Sequence, residues 1–113
     1  MKKKNYLITN INGGYNLAKG ESFECELEGL ALVRFSIPND NNTFKGDFAI
    51  IDIASGMFVT RSKSKKKLLE RWEAQKEFLL PRIVSARSLE KYKDRVEDLN
   101  NEARIWRISG YEI

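Results

Sequence analysis

Residues 46–80 constrain the fold of this chain more than any other stretch. An apolar run over residues 48–53 and a second run over residues 57–60 flank a short turn that contains Gly56. Glycine adopts left-handed backbone conformations without steric cost, so this pattern predicts a β-hairpin. A lysine-rich segment follows the hairpin at once and opens a helix. The stretch therefore predicts a strand, a turn, a second strand and a helix in direct succession.

The helix that follows the hairpin is predicted to be amphipathic. Its candidate N-cap residues are Thr60, Ser62 and Ser64. The residues expected on its apolar side are Leu68, Leu69, Trp72 and Leu79. Because proline lacks a backbone N–H, Pro81 is expected to end or kink this helix after Leu80.

The last third of the chain has the clearest helical periodicity. Ser85 or Ser88 is placed to cap the start of this second helix. Its apolar members recur at spacings of three and four residues: Ala86, Leu89, Tyr92, Val96, Leu99, Ala103 and Trp106. This seam spans only about three heptads, so we expect the helix to pack on the sheet or on the first helix. A homodimer through this helix is the alternative.

Short apolar runs in the first half of the chain predict further strands, at residues 5–11, 15–18 and 30–37. Turns are expected at residues 12–14, which contain the hairpin dipeptide Asn-Gly, and at residues 19–20. The last of the three runs is apolar on both faces apart from Arg34 and Ser36, which is typical of a central strand. The asparagine-rich residues 38–42 predict a loop.

Residues 22–29 alternate between apolar and acidic side chains. Phe23, Cys25 and Leu27 fall on one face, and the other face carries a row of glutamates, namely Glu24, Glu26 and Glu28. This period of two predicts a half-buried strand whose glutamates face solvent. A metal site at the glutamates is the weaker alternative, because the segment holds neither histidine nor aspartate. Cys25 is expected to be a buried core thiol.

Runs of strands followed by runs of helices predict an α+β fold. We expect an antiparallel β-sheet of about five or six strands in the N-terminal half, packed by two C-terminal α-helices. A chain of 113 residues is long enough for one hydrophobic core and too short for two. One domain over residues 1–113 is therefore expected.

Composition also bears on the cellular location. The chain has one cysteine, so it cannot form an internal disulfide, and a reducing compartment is the natural interpretation. The apolar run after the three N-terminal lysines is too short for a signal peptide, and no run approaches the ~20 residues needed to span a bilayer. We expect a cytoplasmic protein with no membrane partner.

The available side chains argue against catalysis. The chain contains no histidine, which removes the commonest general base and the commonest metal ligand. It also lacks the glycine-rich patterns that bind nucleotide phosphates. Asp47 and Asp52 bracket a predicted strand and offer one alternative, the magnesium ligands of a nuclease. We expect a non-enzymatic protein without a cofactor or a metal.

The net charge of +4 is unevenly distributed along the chain. Residues 61–71 hold six cations and one glutamate, and residues 104–107 interleave arginine with apolar and aromatic side chains. Concentrated positive charge favours an acidic partner, either a nucleic acid or an acidic protein face, with a solvated surface as the alternative. The candidate binding residues are Arg61, Lys63, Lys65, Lys66, Lys67, Arg71, Arg104, Trp106 and Arg107.

Three features carry a resemblance: the Met-Lys-Lys-Lys start, the asparagine-rich residues 38–42, and the strand–turn–strand unit at residues 50–59. With these features the chain resembles the small accessory proteins of phages and mobile elements in low-GC Gram-positive bacteria, which include anti-CRISPR proteins. The resemblance implies a stoichiometric inhibitor that occupies a surface of a nuclease ribonucleoprotein, such as Cas9 with its guide RNA.

Many such inhibitors mimic DNA with acidic surfaces, whereas this chain is net basic. The glutamate row at residues 24–28 is its only candidate mimic, so a basic inhibitor is expected to contact guide RNA or an acidic face of the effector. The first functional expectation is therefore a non-enzymatic interaction protein that inhibits a CRISPR nuclease ribonucleoprotein by occluding its surface. The alternative is a small basic nucleic-acid-binding regulatory protein.

Overall fold

A computed structural model describes residues 4–9, 14–38 and 44–106. The described residues form an α+β fold in which a five-stranded antiparallel sheet precedes two helices, as predicted. The elements are β1 (Lys4–Thr9), β2 (Tyr15–Ser22), β3 (Leu30–Pro38), β4 (Phe44–Asp52), β5 (Phe58–Ser62), α1 (Lys65–Arg87) and α2 (Glu90–Trp106). Most of the predicted turn at residues 12–14 and of the predicted loop at residues 38–42 lies outside the described residues, and Pro38 is the last residue of β3.

The strands lie side by side in the order in which they occur along the chain, from β1 to β5. The prediction of a central strand at residues 30–37 is therefore confirmed, because β3 pairs with β2 on one side and β4 on the other. The predicted β4–β5 hairpin is also confirmed. Its turn residue Gly56 has a φ of 72°, and a Cβ there would lie 2.8 Å from the carbonyl oxygen of Leu7.

The predicted turn at Lys19-Gly20 is wrong, because β2 continues through both residues. Gly20 pairs with Val33 of β3, and a Cβ at Gly20 would lie 2.2 Å from the carbonyl oxygen of Leu32. The glycine thus permits a close approach of two strands, which is a common role of glycine inside a sheet. A turn and a close approach both select glycine, so the sequence alone did not separate them.

The predicted strand at residues 22–29 is wrong as well. Ser22 ends β2, and residues 23–29 connect β2 to β3 without ladder pairing. The burial alternation nevertheless persists, because the apolar side chains pack beneath α1 and the glutamates are exposed. The Phe23 and Trp72 rings meet edge to face, with their centroids 5.3 Å apart. Cys25 is half-buried and not fully buried as expected, and its thiol donates to the Leu27 carbonyl.

The sheet is coiled, and its inner face forms a core of its own. That face carries the buried residues Tyr6, Ile8, Ala18, Ala31, Val33, Phe35, Ala49 and Ile51. The backbone N–H of Thr9 donates to the Gly56 carbonyl at 3.0 Å, so the end of β1 meets the β4–β5 turn. Twist accumulated across the strands brings these two corners together, as it does in barrels. Both helices pack on the outer face.

Helix α1 begins where the sequence predicted and ends later. Ser64 is the N-cap, and its side-chain oxygen accepts from the Lys67 N–H at 3.1 Å. Pro81 does not stop the helix, which continues to Arg87. Proline in a helix interior costs about 3 kcal/mol, but Ile83 and the half-buried Leu79 pack on the core at either side of it. We attribute the continuation to this burial.

The predicted apolar faces of the two helices are only partly buried. In α1, Leu68 and Trp72 are buried, whereas Leu69 is exposed. In α2, Leu99 and Ala103 are buried against Leu7 and Tyr15, so this helix packs on the sheet as expected.

The residues proposed to cap α2 have other positions. Ser85 lies inside α1, Ser88 is the C-cap of α1, and α2 begins at Glu90. Trp106, at the end of the apolar seam of α2, is exposed. The homodimer through this helix, which was the alternative, stays a prediction.

Candidate functional site

Six of the predicted binding residues lie together on the surface. We define the basic patch as the exposed residues Arg61, Lys63, Lys65, Lys66, Lys67 and Arg71. They extend from the end of β5 through the second turn of α1. The Arg71 guanidinium donates to the Arg61 carbonyl at 2.9 Å, which ties the helix to the end of the strand.

The start of α1 is electrostatically unusual. The first turn of α1 contains no acidic residue, although the positive end of the helix dipole favours acidic side chains there. Lysines at Lys65, Lys66 and Lys67 instead add positive charge, at a cost of about 0.3–1 kcal/mol for each unfavourably placed residue. An anion bound to the patch would relieve this repulsion. The arrangement therefore suits a negatively charged ligand.

Two cations from the sheet extend the basic patch, and the sequence analysis missed both. Lys19 pairs with Arg34, Arg34 with Phe48, and Phe48 with Ser62, so one row crosses four strands and ends beside α1.

Lys19 and Arg34 are exposed, and the Arg34 guanidinium lies 5.7 Å from the Phe48 ring centroid. Strand spacing places the Arg34 backbone about 10 Å from Ser62. Lys19 was not predicted as a binding residue because it was assigned to a turn. Arg34 did have a signal in the sequence, since it is the one charged residue in an apolar strand.

A carboxylate lies within reach of the basic patch. The Lys65 ammonium is 3.8 Å from a Glu21 carboxylate oxygen, which brings the start of α1 over β2. Exposed ion pairs of this kind contribute only about 0–1 kcal/mol. The pair therefore orients Lys65 more than it neutralises the patch.

The other predicted binding residues lie elsewhere. Arg104 donates to Asn101 at 3.3 Å, and the Trp106 indole N–H donates to Glu102 at 2.6 Å. Their neighbour Ala103 packs beside Tyr15, which lies six residues along β2 from Glu21, or about 20 Å. The structure therefore does not bring this end of α2 next to the basic patch. Arg107 lies outside the described residues.

The predicted glutamate row is exposed and runs along the middle of α1. A hydrogen bond from Lys76 to Glu73 raises the pKa of Lys76, and the nearby charge of Glu26 raises it further. Among the described residues, no group of three or more potential ligands is arranged to hold a metal ion. Here α1 supplies a cation that reduces the repulsion within the row.

Asp47 and Asp52 do not form the carboxylate pair considered for a magnesium nuclease. They lie five positions apart on β4, so their side chains point to opposite faces of the sheet. Asp52 is 5% exposed and sits beneath the helices. Its two carboxylate oxygens already accept hydrogen bonds from protein groups. The two carboxylates therefore cannot bind one magnesium ion together.

Asp52 is the centre of a buried polar cluster, which we call the Asp52 cluster. The Nε and Nη2 atoms of Arg87 donate to its Oδ1 at 3.0 and 2.7 Å. The backbone N–H and the hydroxyl of Ser55 donate to Oδ2 at 3.1 and 2.7 Å, and the Tyr92 hydroxyl donates at 2.8 Å. The cluster joins the β4–β5 turn to the end of α1 and the start of α2.

The chemistry of the Asp52 cluster is that of a fold-stabilising site. Burial, followed by the hydrogen bond to Asp52, raises the pKa of Tyr92 to about 12, so the tyrosine stays a neutral donor. Within the described residues, every buried side-chain polar atom has a hydrogen-bond partner. The sequence offered no signal for the two helix members of this cluster, because Arg87 and Tyr92 lie 35 and 40 residues from Asp52 along the chain, whereas Ser55 lies only three residues away.

Comparisons with known proteins found no match among protein-family models, curated proteins or solved structures. In the part of the chain that the structure describes, no helix is long and apolar enough to cross a membrane. The residues of the surface itself are therefore the basis for inferring a function.

Proposed function

We propose that this chain is a non-enzymatic protein that binds the phosphate backbone of a nucleic acid through the basic patch. The observation that carries the proposal is the convergence of Lys19 and Arg34, from two strands of the sheet, with the six cations of the patch. Local lysine enrichment explains only the six that are neighbours in sequence. The two sheet residues come to the same surface through strand pairing, which widens the patch to the scale of several phosphates.

The proposal makes a quantitative statement about salt. A protein that neutralises phosphates releases counterions, and the logarithm of affinity falls with the logarithm of salt concentration. Contacts to about five phosphates give a slope of about −4.5 on duplex DNA, or about a 500-fold loss of affinity between 50 and 200 mM salt. A partner held mainly by apolar contacts would show a much smaller slope.

The resemblance to phage accessory proteins supports a finer proposal. In this proposal the phosphates belong to the guide RNA of a CRISPR nuclease ribonucleoprotein such as Cas9, and the chain inhibits the nuclease by occluding that surface. The second candidate is a small regulatory protein that binds free nucleic acid. These two candidates differ in the ligand that the basic patch binds. The first requires the assembled effector, and the second requires only the free nucleic acid.

The test is a salt-titrated anisotropy assay with labelled single-stranded and duplex RNA and DNA of about 20 nucleotides. The triple variant Lys65→Glu/Lys66→Glu/Lys67→Glu removes the centre of the patch. The matched control makes the same change in net charge on exposed cations of α2, namely Lys91→Glu, Lys93→Glu and Arg95→Glu. We expect the patch variant to lose binding and the control to keep most of it.

Equal losses in the two triple variants would show that net charge, and not the patch, attracts the polymer. No binding of any free polymer at low salt would overturn the direct proposal. In that case nuclease cleavage with the assembled Cas9 ribonucleoprotein is measured with the same two variants. Inhibition that the patch variant loses and the control keeps supports the finer proposal, while no inhibition contradicts it.

A further inference from the structure

A groove of about 310 Å³ lies between the start of β5 and the C-terminal half of α1. Its walls are mostly apolar and are formed by Met57, Phe58, Val59, Leu79, Ile83 and Ala86. The Asp52 cluster lines one end of it. Met57 and Phe58 are each 37% exposed, so the β5 side of the groove presents apolar surface to solvent.

The groove runs along a sheet edge. Among the described strands, β5 pairs with β4 alone, so the other edge of β5 carries backbone N–H and C=O groups that no described strand uses. At one end of that edge, the Arg61 carbonyl accepts from Arg71. The part of the edge that adjoins the groove is residues 58–60. A sheet edge that no described strand pairs, beside an apolar groove between a strand and a helix, is the geometry in which extended peptides add a strand to a sheet.

The charges around the groove select the kind of peptide. Asp52 is the one carboxylate of the lining, and it already faces Arg87 and the neutral Tyr92. The remaining charge of the lining is the guanidinium of Arg82, which lies 5.1 Å from the Phe78 ring centroid. The basic patch begins at Arg61, only three residues past Phe58. Outside the Asp52 cluster, the charges in and beside the groove are therefore positive, which favours an acidic occupant.

We infer that an extended acidic peptide of a partner protein adds a strand to the edge of β5 that no described strand pairs. One of its apolar side chains enters the groove, and its carboxylates face Arg82 and the basic patch. A second copy of this chain fits less well, because pairing two β5 edges would bring two basic patches together. The groove adjoins the nucleic-acid surface proposed above at Arg61 but shares no lining residue with it, since its walls are residues 57–59 and the part of α1 beyond Arg71.

The test uses fluorescein-labelled peptides of about eight residues that alternate glutamate with valine, at about 150 mM salt. A peptide that alternates lysine with valine is the charge control. Ala86→Trp fills the groove from an exposed position, and Ala74→Trp makes the same change at an exposed position of α1 outside the groove. Arg82→Glu reverses the charge at the groove.

We expect the acidic peptide to bind and to shift the amide NMR signals of residues 58–60 and of the groove side of α1. Ala86→Trp and Arg82→Glu should each weaken binding by about tenfold or more, while Ala74→Trp should change it less than about threefold. The triple lysine variant of the basic patch should retain the shifts at residues 58–60, so failure of the nucleic-acid proposal and failure of this one are distinguishable.

Three results would overturn the inference. The first is no binding of the acidic peptide at about 1 mM. The second is binding that Ala86→Trp leaves intact, or shifts confined to residues 61–71, which would assign the peptide to the basic patch. The third is a single-stranded oligonucleotide that shifts residues 58–60 and loses binding in Ala86→Trp, which would assign the groove to a nucleic acid.

Discussion

Replacing Asp52 by asparagine should cost this protein a large part of its stability. Five donors from Ser55, Arg87 and Tyr92 point at the two carboxylate oxygens. An asparagine side chain keeps one acceptor oxygen and presents an N–H₂ donor in place of the other. Either two or three of the five donors then face another donor, and the Arg87 guanidinium, whose side chain is 24% exposed, loses its counter-charge.

The expected magnitude follows from these losses. Removing one partner of a buried ion pair costs about 3–5 kcal/mol, because the other charge remains buried without compensation. A typical domain has only about 5–15 kcal/mol of total stability. The unfolding entropy of 113 residues is about 0.24 kcal/mol/K, so a loss of about 4 kcal/mol lowers the melting temperature by roughly 17 °C.

Urea unfolding followed by circular dichroism at pH 7 measures the change. Asp47→Asn is the matched control, because Asp47 is on the same strand, half-buried and outside the Asp52 cluster. It should change the free energy of unfolding by less than about 0.5 kcal/mol. A double-mutant cycle with Arg87→Met should return a coupling of more than about 1 kcal/mol. The reasoning fails if Asp52→Asn costs less than about 1 kcal/mol or no more than Asp47→Asn.

Three further predictions concern single residues. Tyr92→Phe should cost about 1 kcal/mol, since Asp52 loses a donor. The pKa of Tyr92 is raised in the folded state, so its contribution is complete below pH 10 and lost as pH rises towards 12. The free energy of unfolding, measured against pH for the native protein and for Tyr92→Phe, should decline less above pH 10 in the variant. Parallel curves for the two proteins would contradict this. Gly20→Ala should cost more than about 2 kcal/mol by urea unfolding, because its Cβ would overlap the Leu32 backbone, and a neutral effect would mean that the strands separate easily. Pro81→Ala should raise the melting temperature, because it restores a helical N–H donor; an unchanged or lower melting temperature would contradict this and would mean that proline stabilises mainly by restricting the unfolded chain.

Local chemistry in the sequence was enough to predict the elements near the hairpin. Gly56 takes the left-handed conformation that its turn position predicted, and Ser64 caps α1 as one of three candidates. The order of strands and helices was enough for the α+β class. These features depend on interactions between residues close in sequence, such as a turn, a cap or a periodic face, so the sequence carries them directly.

The sequence was misleading where a local signal has two physical causes. Gly20 signalled a turn but permits a close approach of β3, and the alternation at residues 22–29 signalled a strand but marks a loop packed beneath α1. Pro81 signalled a helix end or a kink, and the helix does not end there, because the packing of the residues around it continues the helix. In each case a contact with a distant part of the chain decided between the two causes.

The sequence by itself determined the local elements and the cluster of six cations, because those residues are neighbours along the chain. Only the tertiary structure decided which other residues join them. Strand register brought Lys19 and Arg34 to the basic patch, and the packing of α1 and α2 brought Arg87 and Tyr92 to Asp52. The physical reason is that pairing register and helix packing depend on contacts between residues far apart in sequence, which no local pattern encodes.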